Sequence, residues 1–177
     1  MSQSNLVKKK RCITRTFLVY GEGKCEEVFL KHLRSIYSHN KDTWVKIEPG
    51  NGGTPRDIVV GATKTPGSYG RIFVVLDNDK DKREMILARE AADNMGVVLI
   101  ENNPCLEFVL LAILGDRIPK GMKSKWYKKE FESRYINRKK RVELWEYRIF
   151  TKTLLDNKRN TISELNKMIT LMEGDVD

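Results

Sequence analysis

The stretch that most constrains the fold is Arg71-Ile72-Phe73-Val74-Val75-Leu76-Asp77-Asn78-Asp79-Lys80-Asp81. Ile72 to Leu76 is an unbroken apolar run, too short for a helix and rich in β-branched residues, which predicts a strand covered on both faces as in a parallel sheet. Acids stand where the run stops. In an open α/β sheet ligands bind beyond the carboxyl ends of the strands, so Asp77 and Asp79 are expected at the rim of the core. Side chains alternate along an extended chain, which puts Asp77 and Asp79 on one side and Asn78 on the other. Two such carboxylates make a seat for a hard divalent cation, Mg²⁺ or Mn²⁺. A plainer reading stands beside it, in which the acids form a turn and Asp81 caps the next helix.

The same strand-then-helix pattern repeats around this run. Ile13 to Tyr20 reads as a first strand and ends in Gly21-Glu22-Gly23-Lys24, where glycines let the backbone turn tightly. A helix over about Cys25 to Ser38 follows, with Phe29, Leu33, Ile36 and Tyr37 as its buried stripe. Trp44 to Glu48 is a short second strand, broken by Pro49-Gly50-Asn51-Gly52-Gly53 before Thr54-Pro55 opens a helix with Ile58, Val59 and Ala62 inward. That glycine-rich loop could admit a phosphate or simply make a tight strand-to-helix turn. After Asp81 a helix to about Met95 carries Ala88, Ala91, Ala92 and Met95 on one face, and Val97 to Ile100 is a fourth strand. Asn103-Pro104 then predicts a helix start, with Asn103 as N-cap and Pro104 in the first turn, running to about Gly115. Glu107 falls in that opening turn, as a metal ligand or as a carboxylate favoured by the helix dipole.

Four strands each followed by a helix predict an α/β fold, a parallel sheet with helices on both faces and right-handed crossovers. In it the turns after strands one, three and four open on one edge. Glu22, Asp77, Asp79 and Glu107 can therefore converge although they are far apart in sequence.

The net charge of +9 is concentrated in one segment. From Arg117 to Arg159 there are 15 Lys and Arg against 5 Asp and Glu, whereas the remainder carries 18 against 19. A basic segment of this kind is the footprint of a surface that meets phosphate backbones, with anionic lipid as the competing partner. Lys123, Lys125, Lys128, Lys129, Arg134, Arg138, Lys139, Lys140 and Arg141 are the candidate nucleic-acid contacts. Interleaved with them, Trp126, Tyr127, Phe131 and Tyr135 recur at about one helical turn. They could stack bases, but an aromatic stripe at helical spacing is more often packing, and packing is the reading favoured. Thr161-Ile162-Ser163-Glu164 predicts a capping box opening a last amphipathic helix, with Leu165, Met168, Ile169 and Met172 packed on the domain or on a second subunit.

Composition excludes several classes. No apolar run approaches the length needed to cross a bilayer, and no secretory signal is visible behind the basic N-terminus, so a cytoplasmic protein is expected. Cys12, Cys25 and Cys105 are odd in number and lack a Cys-x-x-Cys pairing, against a disulfide framework or a zinc site. His32 and His39 give little basis for histidine catalysis.

The three acid-bearing turns resemble those of a Toprim domain, the fold shared by topoisomerases, bacterial primases and several nucleases. Its pattern, a Glu in a Gly-rich turn after the first strand and an Asp-x-Asp after the third, is matched by Gly21-Glu22-Gly23 and Asp77-Asn78-Asp79. More narrowly the chain is similar to the RloB-like family, through Glu22-Gly23-Lys24-Cys25-Glu26-Glu27 and Asn103-Pro104-Cys105-Leu106-Glu107. The resemblance covers about residues 13–115 and implies a Toprim-like catalytic domain there; the residues flanking it read as a flexible basic lead-in over 1–12 and a basic, mainly helical extension over 116–177 packed on the same domain. It also implies metal-dependent phosphodiester chemistry, with Glu22 as general acid or base and Asp77 and Asp79 holding Mg²⁺ or Mn²⁺, together with a setting in bacterial antiviral defence beside a partner ATPase. Glu22 itself and Glu107 are further candidate ligands. Lys24 or Lys80, each next to a proposed acid, could place positive charge at the transition state. The alternative is a non-catalytic nucleic-acid- or metal-binding regulatory subunit that partners an ATPase and uses the same acids to bind metal or a partner; a homodimer is a further candidate assembly. DNA and RNA remain equal candidates as substrate.

Overall fold

The computed structural model describes residues 15–38, 42–136 and 149–176. Ile13, His39 and the predicted contacts Arg138, Lys139, Lys140 and Arg141 lie outside these residues, as does the 1–12 lead-in. The elements in chain order are β1 (Arg15–Gly21), α1 (Lys24–Tyr37), β2 (Thr43–Pro49), α2 (Pro55–Thr63), β3 (Arg71–Asp77), α3 (Lys82–Met95), β4 (Val97–Asn102), α4 (Leu106–Leu114), α5 (Ser124–Tyr135), α6 (Lys152–Arg159) and α7 (Ser163–Glu173). The strands form one sheet in the order β2-β1-β3-β4, and every pair is parallel. The expected α/β architecture is therefore the one observed, with β1 and β3 in the interior of the sheet.

Alternation along the strands sorts side chains between two apolar layers. Phe17, Val19, Phe73, Val75 and Ile100 face one layer, filled by α1, α4, α5, α6 and α7. Tyr20, Val74 and Leu76 face the other, filled by Ile58, Val59 and Ala62 of α2 and Met85, Ala88, Ala91 and Ala92 of α3. Phe73 to Leu76 are at most 2% exposed, as a strand covered on both sides must be. Met95 departs from the predicted stripe of α3 and is exposed, since the helix ends there against Gly96 in the left-handed conformation at φ 65°.

The basic extension shares the first layer rather than forming a core of its own. Tyr127, Phe131, Phe150, Leu155, Leu165, Met168 and Met172 are buried with Phe29 and Leu33 of α1. Polar ties accompany the packing: the Tyr37 hydroxyl donates to Asp156 Oδ1 at 2.8 Å, and His32 Nε2 lies 2.8 Å from the Phe150 carbonyl. The aromatic stripe is thus packing where it is described. Helix α7 lies on α1 and β4 of its own chain.

Two predicted helix starts are corrected. Asn103 does not cap α4; the Asn103–Pro104 peptide is cis, Cys105 occupies the N-cap position and the helix begins at Leu106. Strand β4 runs on to Asn102, two residues beyond the apolar run, and this carries the turn past the predicted cap. Thr161 likewise does not form a capping box. Its hydroxyl donates to the Lys158 carbonyl at 3.0 Å at the end of α6, a helix not anticipated from the sequence, and Ile162 takes the N-cap position of α7. By contrast Thr54 caps α2 as predicted, accepting from Asp57 N–H at 3.2 Å while Asp57 Oδ2 accepts from Thr54 N–H at 3.1 Å, an arrangement of about 1 kcal/mol.

Candidate active site

The site follows from strand parity. Asp77 continues the Phe73, Val75 series and so emerges on the face covered by α4 and α5, where it is only 2% exposed. Asn102 stands opposite Asp77 in the β3–β4 register and continues the series of Ile100, completely buried. On the other flank β1 ends at Gly21, where an added Cβ would lie 2.8 Å from Glu26 Cβ. The close approach of α1 to the end of β1 requires glycine there, and it brings Glu22 and Glu26 to the strand ends. The 49–53 loop also has a packing reason for its glycine: Gly50 N–H donates to the Gly21 carbonyl at 2.6 Å, and a Cβ on Gly50 would lie 2.7 Å from that oxygen.

Glu22 and Asp77 meet directly. Glu22 Oε2 accepts a hydrogen bond from the Asp77 backbone N–H at 3.0 Å. Asp77 Oδ1 accepts from the Leu106 N–H, the first residue of α4, at 2.9 Å. Its other oxygen, Oδ2, lies 2.8 Å from Lys128 Nζ, which is also 3.7 Å from Asp79 Oδ2. Asp77 and Asp79 therefore do face the same way, toward one ammonium group. Lys80 is 3.8 Å from Asp79 Oδ1. Glu107 is buried beside this group, with Oε1 accepting from the Cys25 thiol at 3.5 Å and Oε2 without a hydrogen-bond partner. Both polar side-chain atoms of Asn102 are likewise buried without a partner.

So many carboxyls in a confined space disfavour ionisation. Burial pushes Glu22 above the ordinary carboxylate range, against the opposing hydrogen bond from Asp77. Burial and then the charge of Asp77 raise Glu26 to about 7 and raise Glu107 as well. Asp77 is raised by burial and pulled back by Lys128, the balance remaining above its ordinary value. For Lys128 burial acts downward, but its hydrogen bond to Asp77 and the fields of Asp77, Glu107 and Asp79 outweigh it, so the group stays an ammonium.

The predicted site residues thus divide. Glu22, Asp77, Asp79, Lys80 and Glu107 are brought to one edge, as the turn positions require. Lys24 instead pairs with Glu27 at 3.0 Å, and Glu27 is also held by Lys31. Lys128 is corrected from a surface contact to a member of the acid cluster. Arg134 is engaged by Glu130 and, at 3.4 Å, by Asp116. Lys123, Lys125 and Lys129 are exposed on or beside α5 and have no ion-pair partner among the described residues. Two residues escaped the sequence reading. Glu26 was legible in principle, as a carboxylate in the opening turn of the helix that follows Glu22, whereas Asn102 becomes visible only through its register with Asp77.

The donors fit a hard divalent cation in kind: carboxylate oxygens, and the buried oxygens Glu107 Oε2 and Asn102 Oδ1 that lack partners. As disposed, no group of three or more His, Cys, Asp or Glu among the described residues is set to hold a metal ion, and the positive charge between Asp77 and Asp79 belongs to Lys128. Among the described residues no helix is long and apolar enough to cross a membrane. Comparison of the chain with family models, curated proteins and solved structures finds no match.

Proposed function

We propose that this chain is a Mg²⁺- or Mn²⁺-dependent endonuclease of the Toprim type that cleaves nucleic-acid phosphodiesters. The observation that carries the reading is the convergence of Glu22, Asp77, Asp79 and Glu107, from three separate turns, on one edge that Lys128 of α5 reaches, the helix that also carries the exposed Lys125 and Lys129. Asp77, Asp79, Glu22 and Glu107 would hold the cation, which when bound would neutralise the scissile phosphate and acidify a water. Glu22 Oε2 is occupied by the Asp77 N–H, so Oε1 is the oxygen left to take a proton from the attacking water or to return one to the leaving oxygen. A carboxyl raised by burial is a better base for that step than a solvated one. Lys80, at Asp79, would face the developing negative charge. Lys125 and Lys129 of α5, with Lys123 just before it, would bind the phosphate backbone. A role in bacterial antiviral defence beside an ATPase accords with the RloB-like motifs.

The ion pair of Lys128 with Asp77 favours a second reading, a nucleic-acid- or metal-binding regulatory subunit whose acids serve the fold. Incubation with plasmid, single-stranded DNA and tRNA, with Mg²⁺, with Mn²⁺ or with chelator, separates the two. The nuclease reading expects metal-dependent products that Asp79→Asn and Glu22→Gln abolish. Products that persist unchanged in both variants would exclude it, and cation binding without cleavage of any of the three would favour the regulatory subunit.

A further inference from the structure

A lysine in the midst of these acids needs an explanation, because the fold does not require one there to hold α5 in place. That helix is anchored by other residues: Tyr127 and Phe131 are each 1% exposed, and the Tyr127 hydroxyl donates to the Pro119 carbonyl at 2.9 Å and accepts from Met122 N–H at 3.1 Å. Lys128, next in sequence to Tyr127, is held less tightly. Its ammonium touches Asp77 and Asp79, but its side chain is 40% exposed, against 2% for Asp77. An ammonium is a compact charge on a flexible four-carbon stem, able to swing out without any movement of the helix. The carboxylates it would leave behind are fixed, Asp77 by the α4 N-terminus and Glu22 by the Asp77 backbone.

We infer that Lys128 is a built-in competitor for the cation: its ammonium occupies the place between Asp77 and Asp79 that a divalent ion would take, and loading requires it to leave. The inference rests on the metal-site reading proposed above. Two further observations point to an ion of higher charge at this place. Glu107 Oε2 and Asn102 Oδ1, both oxygens able to ligate a cation, are buried beside Asp77 with no partner, and a single ammonium satisfies neither. Removing one partner of a buried ion pair leaves the other charge uncompensated, so the apo site without Lys128 would be destabilised. The lysine therefore keeps the empty site stable and sets the cation concentration at which it fills.

Mn²⁺ titration followed by loss of the free-ion paramagnetic resonance signal tests this without any assay of activity, using the full chain as wild type, Lys128→Gln and Lys128→Arg. Lys128→Gln should bind Mn²⁺ about tenfold more tightly than wild type, and Lys128→Arg, whose forked guanidinium can hold both carboxylates, about tenfold more weakly. Melting should agree: Lys128→Gln starts lower than wild type and gains more from added Mn²⁺. If Lys128→Gln fails to fold, the weakening in Lys128→Arg alone decides. Equal or weaker Mn²⁺ binding by Lys128→Gln, with wild type binding, would overturn the competitor role and leave the metal site standing. No Mn²⁺ binding by wild type or either variant would overturn the metal site and this inference together.

Discussion

Glu22 Oε2 accepts the backbone N–H of Asp77 at 3.0 Å, joining two turns that lie 55 residues apart in the chain. The contact exists because β1 and β3 are hydrogen-bonded neighbours in register, Gly21 opposite Val75, so that the residues just past each strand end must share one edge. One oxygen of Glu22 is thereby fixed as an acceptor.

Glu22→Gln preserves that acceptor, since an amide oxygen can take the Asp77 N–H, and it removes the carboxylate proposed as the base. The variant should melt close to wild type while cleavage falls by about 10²- to 10⁴-fold, the usual span for a lost general base. Parallel melting curves and rates on an end-labelled substrate measure both. A large fall in stability with unchanged turnover per folded molecule would assign Glu22 to the fold alone.

Asp77→Ala should cost stability as well as activity. It strands the Leu106 N–H at the start of α4 and leaves Lys128 without its nearest partner. Because Lys128 is partly exposed, the loss is expected at about 1–3 kcal/mol rather than the larger figure for a wholly buried pair. Urea unfolding reads it, and pairing with Lys128→Gln should recover part of the loss. Additive losses would mean that the two side chains are not coupled.

The buried Glu26 predicts a pH dependence of stability. Burial and the field of Asp77 hold its carboxyl at about 7 in the folded chain, above the ordinary value of 4.5, so the native state keeps a proton that the unfolded chain releases. Below the unfolded value both states are protonated and nothing is lost. Between the two values the unfolded state ionises first and stability falls as pH rises, and above about pH 7 the full cost of burying the charge is borne. Glu26→Gln should therefore stabilise at about pH 8 by up to roughly 3 kcal/mol and do little at about pH 4. A stability gain independent of pH would refute the assignment.

On α5 the aromatic and basic residues should separate by experiment. Phe131→Ala removes a side chain 1% exposed and should destabilise by about 3–5 kcal/mol. Lys125→Ala and Lys129→Ala should leave stability within about 0.5 kcal/mol. Each lysine variant should instead lower the salt slope of nucleic-acid binding by about one unit. Filter binding across a salt series, with melting as the control, distinguishes them. Lysine variants with unaltered slopes would move the nucleic-acid surface elsewhere.

Much of the architecture was legible before any coordinates. An apolar run of strand length closed by acids, repeated strand-then-helix periodicity and glycines at the turns are local signals, and they sufficed for the parallel sheet and for Glu22, Asp77 and Asp79 on one edge. Errors fell where a local rule met a tertiary competitor. Asn103-Pro104 has the composition of a helix start, but pairing with β3 prolongs β4 to Asn102 and moves the start to Leu106. Lys128 is indistinguishable from its neighbours Lys125 and Lys129 in a string of residues.

What the amino-acid order determined by itself is therefore which segments become strands and helices and which turns carry acids, because these depend on residues a few positions apart. Only the tertiary structure decided that Lys128 faces Asp77 and Asp79, and that Asn102 stands buried beside Asp77. The reason is that a charged side chain chooses its partner across elements distant in sequence, by strand register and helix rotation, and neither is encoded within reach of the residue itself.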